Sequence, residues 1–153
     1  MSSPLSLVLY DDSPVFGGHE VMALQATAAM AKHTDWILTF FATTANKRLL
    51  ARLEELQETA HNLKVVTIYE RFHRLQGILN HIQKSKIHTI AERFDRLSPD
   101  LALIIQGDIE ISSLGLLAAK RSVIPAISYI PLPHNQVEKG AKLGALRDPF
   151  SRG

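Results

Sequence analysis

Two hydrophobic rhythms succeed one another along the chain. Leu5 to Tyr10 is a short, mostly apolar run that ends at the turn formers Asp11, Asp12, Ser13 and Pro14, the pattern of a buried strand closed by a loop. Gly17 and Gly18 follow. From His19 to Lys32 the residues Val21, Leu24, Ala28 and Ala31 recur at near-helical spacing, which predicts a helix. Trp36 to Phe41 reads as a second strand, and Thr43, Thr44 and Asn46 offer caps for a helix through Leu49, Leu50, Leu53 and Leu56.

Leu63 to Ile68 is a third strand, leaving Glu70, Arg71 and His73 just beyond its end. Residues 74 to 96 are broadly helical, interrupted at Gly77, and serve to cross back over a sheet. Pro99 and Asp100 introduce Leu101 to Ile105, an unbroken apolar run of the kind buried on both faces of a parallel sheet. Ile111 to Arg121 reads as a helix and Ile124 to Ile130 as the fifth strand. Strand and helix alternate throughout, so the predicted fold is α/β: a doubly wound, Rossmann-like, mostly parallel sheet with helices on both faces. A ferredoxin-like layer fits less well, because it needs adjacent strands without an intervening helix. Residues 1–147 form the expected domain, and residues 148–153 a polar tail read as a truncation boundary.

The length of 153 residues suits one domain. The chain has no cysteine, which removes disulfides, thiolate metal sites and a cysteine nucleophile. Its net charge is +2, unevenly placed: after residue 110, Lys120, Arg121, Lys139, Lys142, Arg147 and Arg152 face only Glu138 and Asp148. Such a mild basic end suits a phosphate or an anionic surface. Nucleic-acid binding is not expected, since no zinc-finger spacing, RNA motif or aromatic-interleaved basic patch occurs. The apolar runs are strand-sized, far below the roughly 20 residues of a spanning helix. Nothing near Met1 resembles an export signal, so a cytoplasmic protein is expected. No feature supports peripheral membrane contact.

Ligands of such a fold lie at the carboxyl ends of the strands, where the strand order reverses. The rule gathers residues 11–20, 43–46, 70–73, 106–110 and 131–135 on one edge. Gly17 and Gly18 allow close approach of a ligand to a helix start, whose amides hold phosphate oxygens. The full dinucleotide and P-loop patterns are missing. His19 and Glu20 come next; Glu20 suits either the helix dipole or a ligand. Asp11 and Asp12 read as Asx-turn residues, and Asp108 and Glu110 are similar in kind. The seven histidines form no short metal-ligand motif. His33, His61, His81 and His88 read as surface residues, whereas His134 and Asn135 follow the fifth strand and are candidate ligand contacts. No metal site is expected, and no G-x-S-x-G elbow marks a serine nucleophile. Trp36 reads as core, with Phe72 either core or a ligand stack.

Leu7 to Tyr10, Gly17, Gly18, Glu20, Pro99, Asp100, Leu101 to Ile105 and the basic segment after the fifth strand together resemble the N-terminal, acceptor-side domain of a GT-B glycosyltransferase of the retaining family 4 type. The resemblance spans nearly all of residues 5 to 147. It implies transfer of a sugar from a nucleotide-sugar donor, with Gly17 and Gly18 at the donor diphosphate. On the acceptor side it implies Glu70, Arg71, His73 and Asp108. No permanently bound cofactor is implied. Gln106 and Gly107 stand where the family commonly has a histidine. The donor-binding C-terminal domain does not fit in this length, so the resemblance implies a half-site, inactive until a missing domain or a separate partner chain completes it, with no catalytic residue assigned. Two other readings stand beside it: a binding or interaction module that uses its apolar face for a homodimer, and a small unrelated α/β nucleotide-binding enzyme.

Overall fold

The computed structural model describes residues 3–108 and 110–130. Five strands, β1 (Ser6–Asp11), β2 (Ile37–Thr43), β3 (Leu63–Ile68), β4 (Leu101–Ile105) and β5 (Ala126–Tyr129), form one sheet in the order β3-β2-β1-β4-β5. Every pairing is parallel. The connections carry α1 (Gly18–His33), α2 (Lys47–Thr59), α3 (Gln76–Leu79), α4 (Lys84–Leu97) and α5 (Ser113–Arg121). This is the doubly wound α/β fold expected from the alternation of periods.

Side chains of successive strand residues point to opposite faces, and β1 divides its burial accordingly. Leu7 and Leu9 join Ala23 of α1 and Leu49 and Leu53 of α2 in one core. Val8 and Tyr10 join Ile90, Ala91 and Phe94 of α4 and Leu114, Ala118 and Ala119 of α5 in the other. Phe94 stacks edge-on against both Tyr10 and Phe41, with ring centroids 6.2 and 5.5 Å away. A strand buried on both faces must be apolar at nearly every position, which is why the opening run shows no clean alternation.

The helices are held by different devices. The Asn46 side chain caps α2, its Oδ1 accepting from the Leu49 amide at 3.1 Å. In α1 the buried face is Glu20, Ala23 and Thr27. The sequence pattern pointed instead to Val21, which is 40% exposed. The correction has a physical cause: the small Ala23 and Thr27 allow α1 to lie close to the sheet, so shape rather than the bulk of the apolar side chains selects the buried face. Thr27 satisfies its hydroxyl by donating to the Ala23 carbonyl at 2.7 Å. The long crossover between β3 and β4 splits into α3 and α4, with Gly77 buried inside α3. No helix among the described residues is long and apolar enough to cross a membrane.

Candidate functional site

Strand order reverses beside β1: the chain leaves β1 for β2 on one side, while β4 lies on the other. The loops after β1 and β4 leave neighbouring strand ends there, at the place where open α/β sheets hold ligands. Hydrogen bonds from three directions fix the β1 loop. Asp12 donates its amide to Ser112 Oγ at 3.2 Å and accepts the Ser112 amide on Oδ1 at 2.8 Å. Its carbonyl accepts from the Phe72 amide at 2.8 Å. Asn46 Nδ2 donates to the Ser13 carbonyl at 3.0 Å, so the residue that caps α2 also holds this loop.

Asp11, His19 and Glu20 meet at this end of β1. Asp11 closes an Asx turn, accepting the Ser13 amide on Oδ1 at 2.9 Å, as its place after a strand suggests. Its other oxygen, Oδ2, is buried with no hydrogen-bond partner. Glu20 is fully buried and reaches back to the start of its own helix, accepting the Gly17 amide on Oε2 at 2.6 Å. Its Oε1 lies 2.7 Å from His19 Nε2. The pair is close by distance, yet neither atom makes a hydrogen bond of acceptable geometry. One donor atom from each of the three residues lies within 4.8 Å of the other two. The His19 ring is also walled in, because a Cβ on Gly107 would come within 2.6 Å of His19 Cε1 and Nδ1.

Burial dominates the electrostatics of the two aspartates. It pushes Asp11 up to about 8 against the lowering effect of the Ser13 amide, with Glu20 and Asp12 adding like charge. Asp12 is pushed up to about 7, again by burial, in spite of its bonds from Ser112 and Tyr10. For His19, burial favours the neutral ring, but the Glu20 and Asp11 carboxylates outweigh it and raise the imidazole above its ordinary value. For Glu20, burial is overcome by the His19 ring, the Ser13 hydroxyl and the backbone amides of Gly17 and Glu20, so its acidity lies below the usual carboxylate value.

Of the residues singled out in the sequence, His19 and Glu20 come together with Asp11, whose place after a strand favours an Asx turn. Glu70 falls on the other side of the β1 end, where it acts electrostatically on Asp12 and Tyr10 and keeps Oε2 buried without a partner. Arg71 is exposed, His73 and Asp108 are half-buried, and none of them joins the Asp11 group. Gly18 opens the first turn of α1, and a Cβ there would meet nothing within 4 Å. His33, His61, His81 and His88 are exposed as expected. His134, Asn135 and the tail at residues 148–153 lie outside the described residues. Asp11 left one signal in the sequence, an acid at the last position of a buried strand ahead of a helix start. Its spacing to His19 and Glu20 matches no short ligand motif.

No family profile and no curated protein matches this chain. Among solved structures it is similar to one described as "Crystal structure of universal stress protein in complex with cAMP", at 14% sequence identity and a TM-score of 0.45, over 84% of this chain and 98% of that one. The resemblance to the acceptor-side domain of a GT-B glycosyltransferase is corrected by these findings: the similar structure is a universal stress protein, and nothing found speaks for a glycosyltransferase. The short motifs behind that resemblance are strand and turn features that any doubly wound sheet requires at these places. The nucleotide-sugar donor and the missing donor-binding domain were implied by the resemblance alone. At Gly17, the amide meant for a donor phosphate is already taken by Glu20.

Proposed function

We propose that this chain is a small α/β nucleotide-binding protein whose ligand lies in the crevice beside β1 and β4. The observation that carries the reading is the open first turn of α1 at that crevice. Gly18 stands at the start of a helix of 16 residues, and the space its Cβ would occupy is free to 4 Å. A helix start of this length places partial positive charge and amide donors at the strand-order reversal, which suits a phosphate group. The loop is held in advance by Asn46 and Ser112, so binding need not order it. The same reading keeps the protein in the cytoplasm, where such ligands are abundant.

The test is calorimetric titration of the folded chain with nucleoside mono-, di- and triphosphates, each with and without a divalent cation. The expected result is saturable binding that Gly18→Val abolishes while leaving the fold intact, because the new side chain covers the helix start and meets no core residue. Absence of binding by every nucleotide in the panel, or equal binding by Gly18→Val, overturns the reading.

A further inference from the structure

We infer that Asp11, His19 and Glu20 form a site for one divalent first-row transition cation such as Zn2+. Three donors converge there: Asp11 Oδ2 has no partner, and His19 Nε2 and Glu20 Oε1 lie 2.7 Å apart as an ion pair. Asp11 Oδ2, His19 Nε2 and Glu20 Oε1 each lack a hydrogen bond although all are buried atoms. The Asp11 and Glu20 residues are 0% exposed. Leaving a buried polar atom without a hydrogen bond is expensive, and more so for a charged group. One cation satisfies all of them at once.

The geometry agrees. Metal bonds to imidazole nitrogen and carboxylate oxygen are about 2.0–2.2 Å long, which places the ligands of a tetrahedral Zn2+ roughly 3.3–3.6 Å apart. The His19 and Glu20 donors lie 2.7 Å from one another, and the whole set lies within 4.8 Å. The most widely spaced donors draw together to hold the ion, which leaves a fourth position for water or another ligand. Each ligand is also oriented by its second contact, the feature that tunes metal sites. Ser13 holds Asp11, Gly17 holds Glu20, and Gly107 walls the His19 ring.

The donor set selects the class of ion. Mg2+ and Ca2+ prefer shells of oxygen alone, whereas one imidazole with two carboxylates suits Zn2+, Fe2+ or Co2+. His19, with 15% of its side chain exposed against 0% for Glu20, provides the way in from solvent. The inference stands apart from the nucleotide reading, since it concerns the metal alone.

The experiment titrates the full chain with Zn2+ by calorimetry and with Co2+ by visible absorption, after treatment with a chelator and with no nucleotide present. One equivalent is expected to bind at the site, with the Co2+ bands of a nitrogen- and oxygen-ligated ion. His88→Ala, which removes an exposed histidine paired with Glu92, leaves that equivalent in place. His19→Ala removes it while circular dichroism stays native, because the ring belongs to neither hydrophobic core. Gly107→Ala, which pushes on the ring, weakens affinity roughly 10–100-fold. Failure of the folded chain to take up either metal at millimolar concentration overturns the proposal, and so does binding by His19→Ala at wild-type strength.

Discussion

Asp12 and Ser112 hold each other through two hydrogen bonds across 100 positions of sequence, each donating its amide to the other's side chain at 3.2 and 2.8 Å. The pair joins the end of β1 to the start of α5 and so spans the strand-order reversal. Ser112 makes its bonds from a left-handed backbone conformation, φ 60°, so the contact outweighs a local conformational strain.

Ser112→Ala is expected to lower the free energy of unfolding by about 1–3 kcal/mol, because the buried Asp12 amide loses its acceptor. Urea unfolding monitored by circular dichroism measures it. A change within error of zero shows that the reciprocal contact adds nothing to stability. Ser112→Gly retains the loss of the hydroxyl but relieves the positive φ, so it should be the milder of the two substitutions.

Stability of the metal-free chain falls as pH rises from about 4 to about 8. Asp11 and Asp12 titrate near 3.8 when unfolded but at about 8 and about 7 when folded. In that window the folded state binds more protons than the unfolded state, so the slope of stability against pH is negative. His19, also raised, acts in the same direction. Glu20, lowered, contributes stability that is present above its unfolded value and is lost only as pH falls below this window. Urea midpoints at pH 5 and pH 8 in the presence of a chelator give the sign directly. Asp12→Asn should flatten the slope, and a midpoint that climbs with pH contradicts the assignment.

Two glycine substitutions should behave in opposite ways. Gly115 of α5 lies against the Tyr10 ring, and a Cβ there would overlap that ring. Gly115→Ala therefore separates α5 from β1 or forces Tyr10 out of place, at about 1–3 kcal/mol. Gly18→Ala meets open space and gains helix propensity, so it should be neutral or stabilising by a few tenths of a kcal/mol. Thermal melts of the two variants side by side separate them, and equal melting temperatures would refute the packing argument at Gly115.

Phe94→Ala removes the ring shared by Tyr10 and Phe41 from a fully buried position. The expected loss is about 3–5 kcal/mol, a large part of the stability of a domain of this size. A guanidinium midpoint that shifts only slightly would mean that the two remaining rings collapse into the space.

The strands were legible in the sequence where burial on both faces leaves no ambiguity. Leu101–Ile105 begins and ends where its apolar run does, and the edge strand Leu63–Ile68, with Lys64 and Thr67 exposed, keeps its bounds through its β-branched residues. Elements with softer edges moved by one to three residues, and α5 starts at Ser113 because Ser112 is held by Asp12. Two of the three residues of the candidate site were legible as well: His19 and Glu20 stand out next to paired glycines. Asp11 did not, since one of its oxygens makes the turn contact that its position predicts. What sets it apart is the burial of the other oxygen among α1 and the neighbouring strand ends, which is a property of the assembled sheet. The family resemblance went astray for a related reason, because short strand-and-glycine patterns report architecture and carry little about chemistry.

The placement of these contacts also sets an order in time. Asp11, His19 and Glu20 fall at the end of β1 and in the first turn of α1, so a ribosome delivers all three close together. The wall at Gly107 and the clasp at Ser112 arrive some 90 residues later. Throughout that interval β2 is in place on one side of β1, but the two carboxylates and the imidazole lack the β4 side of their enclosure. Completion of the fourth strand and the turn behind it is then the event that turns a loose local cluster into an enclosed site.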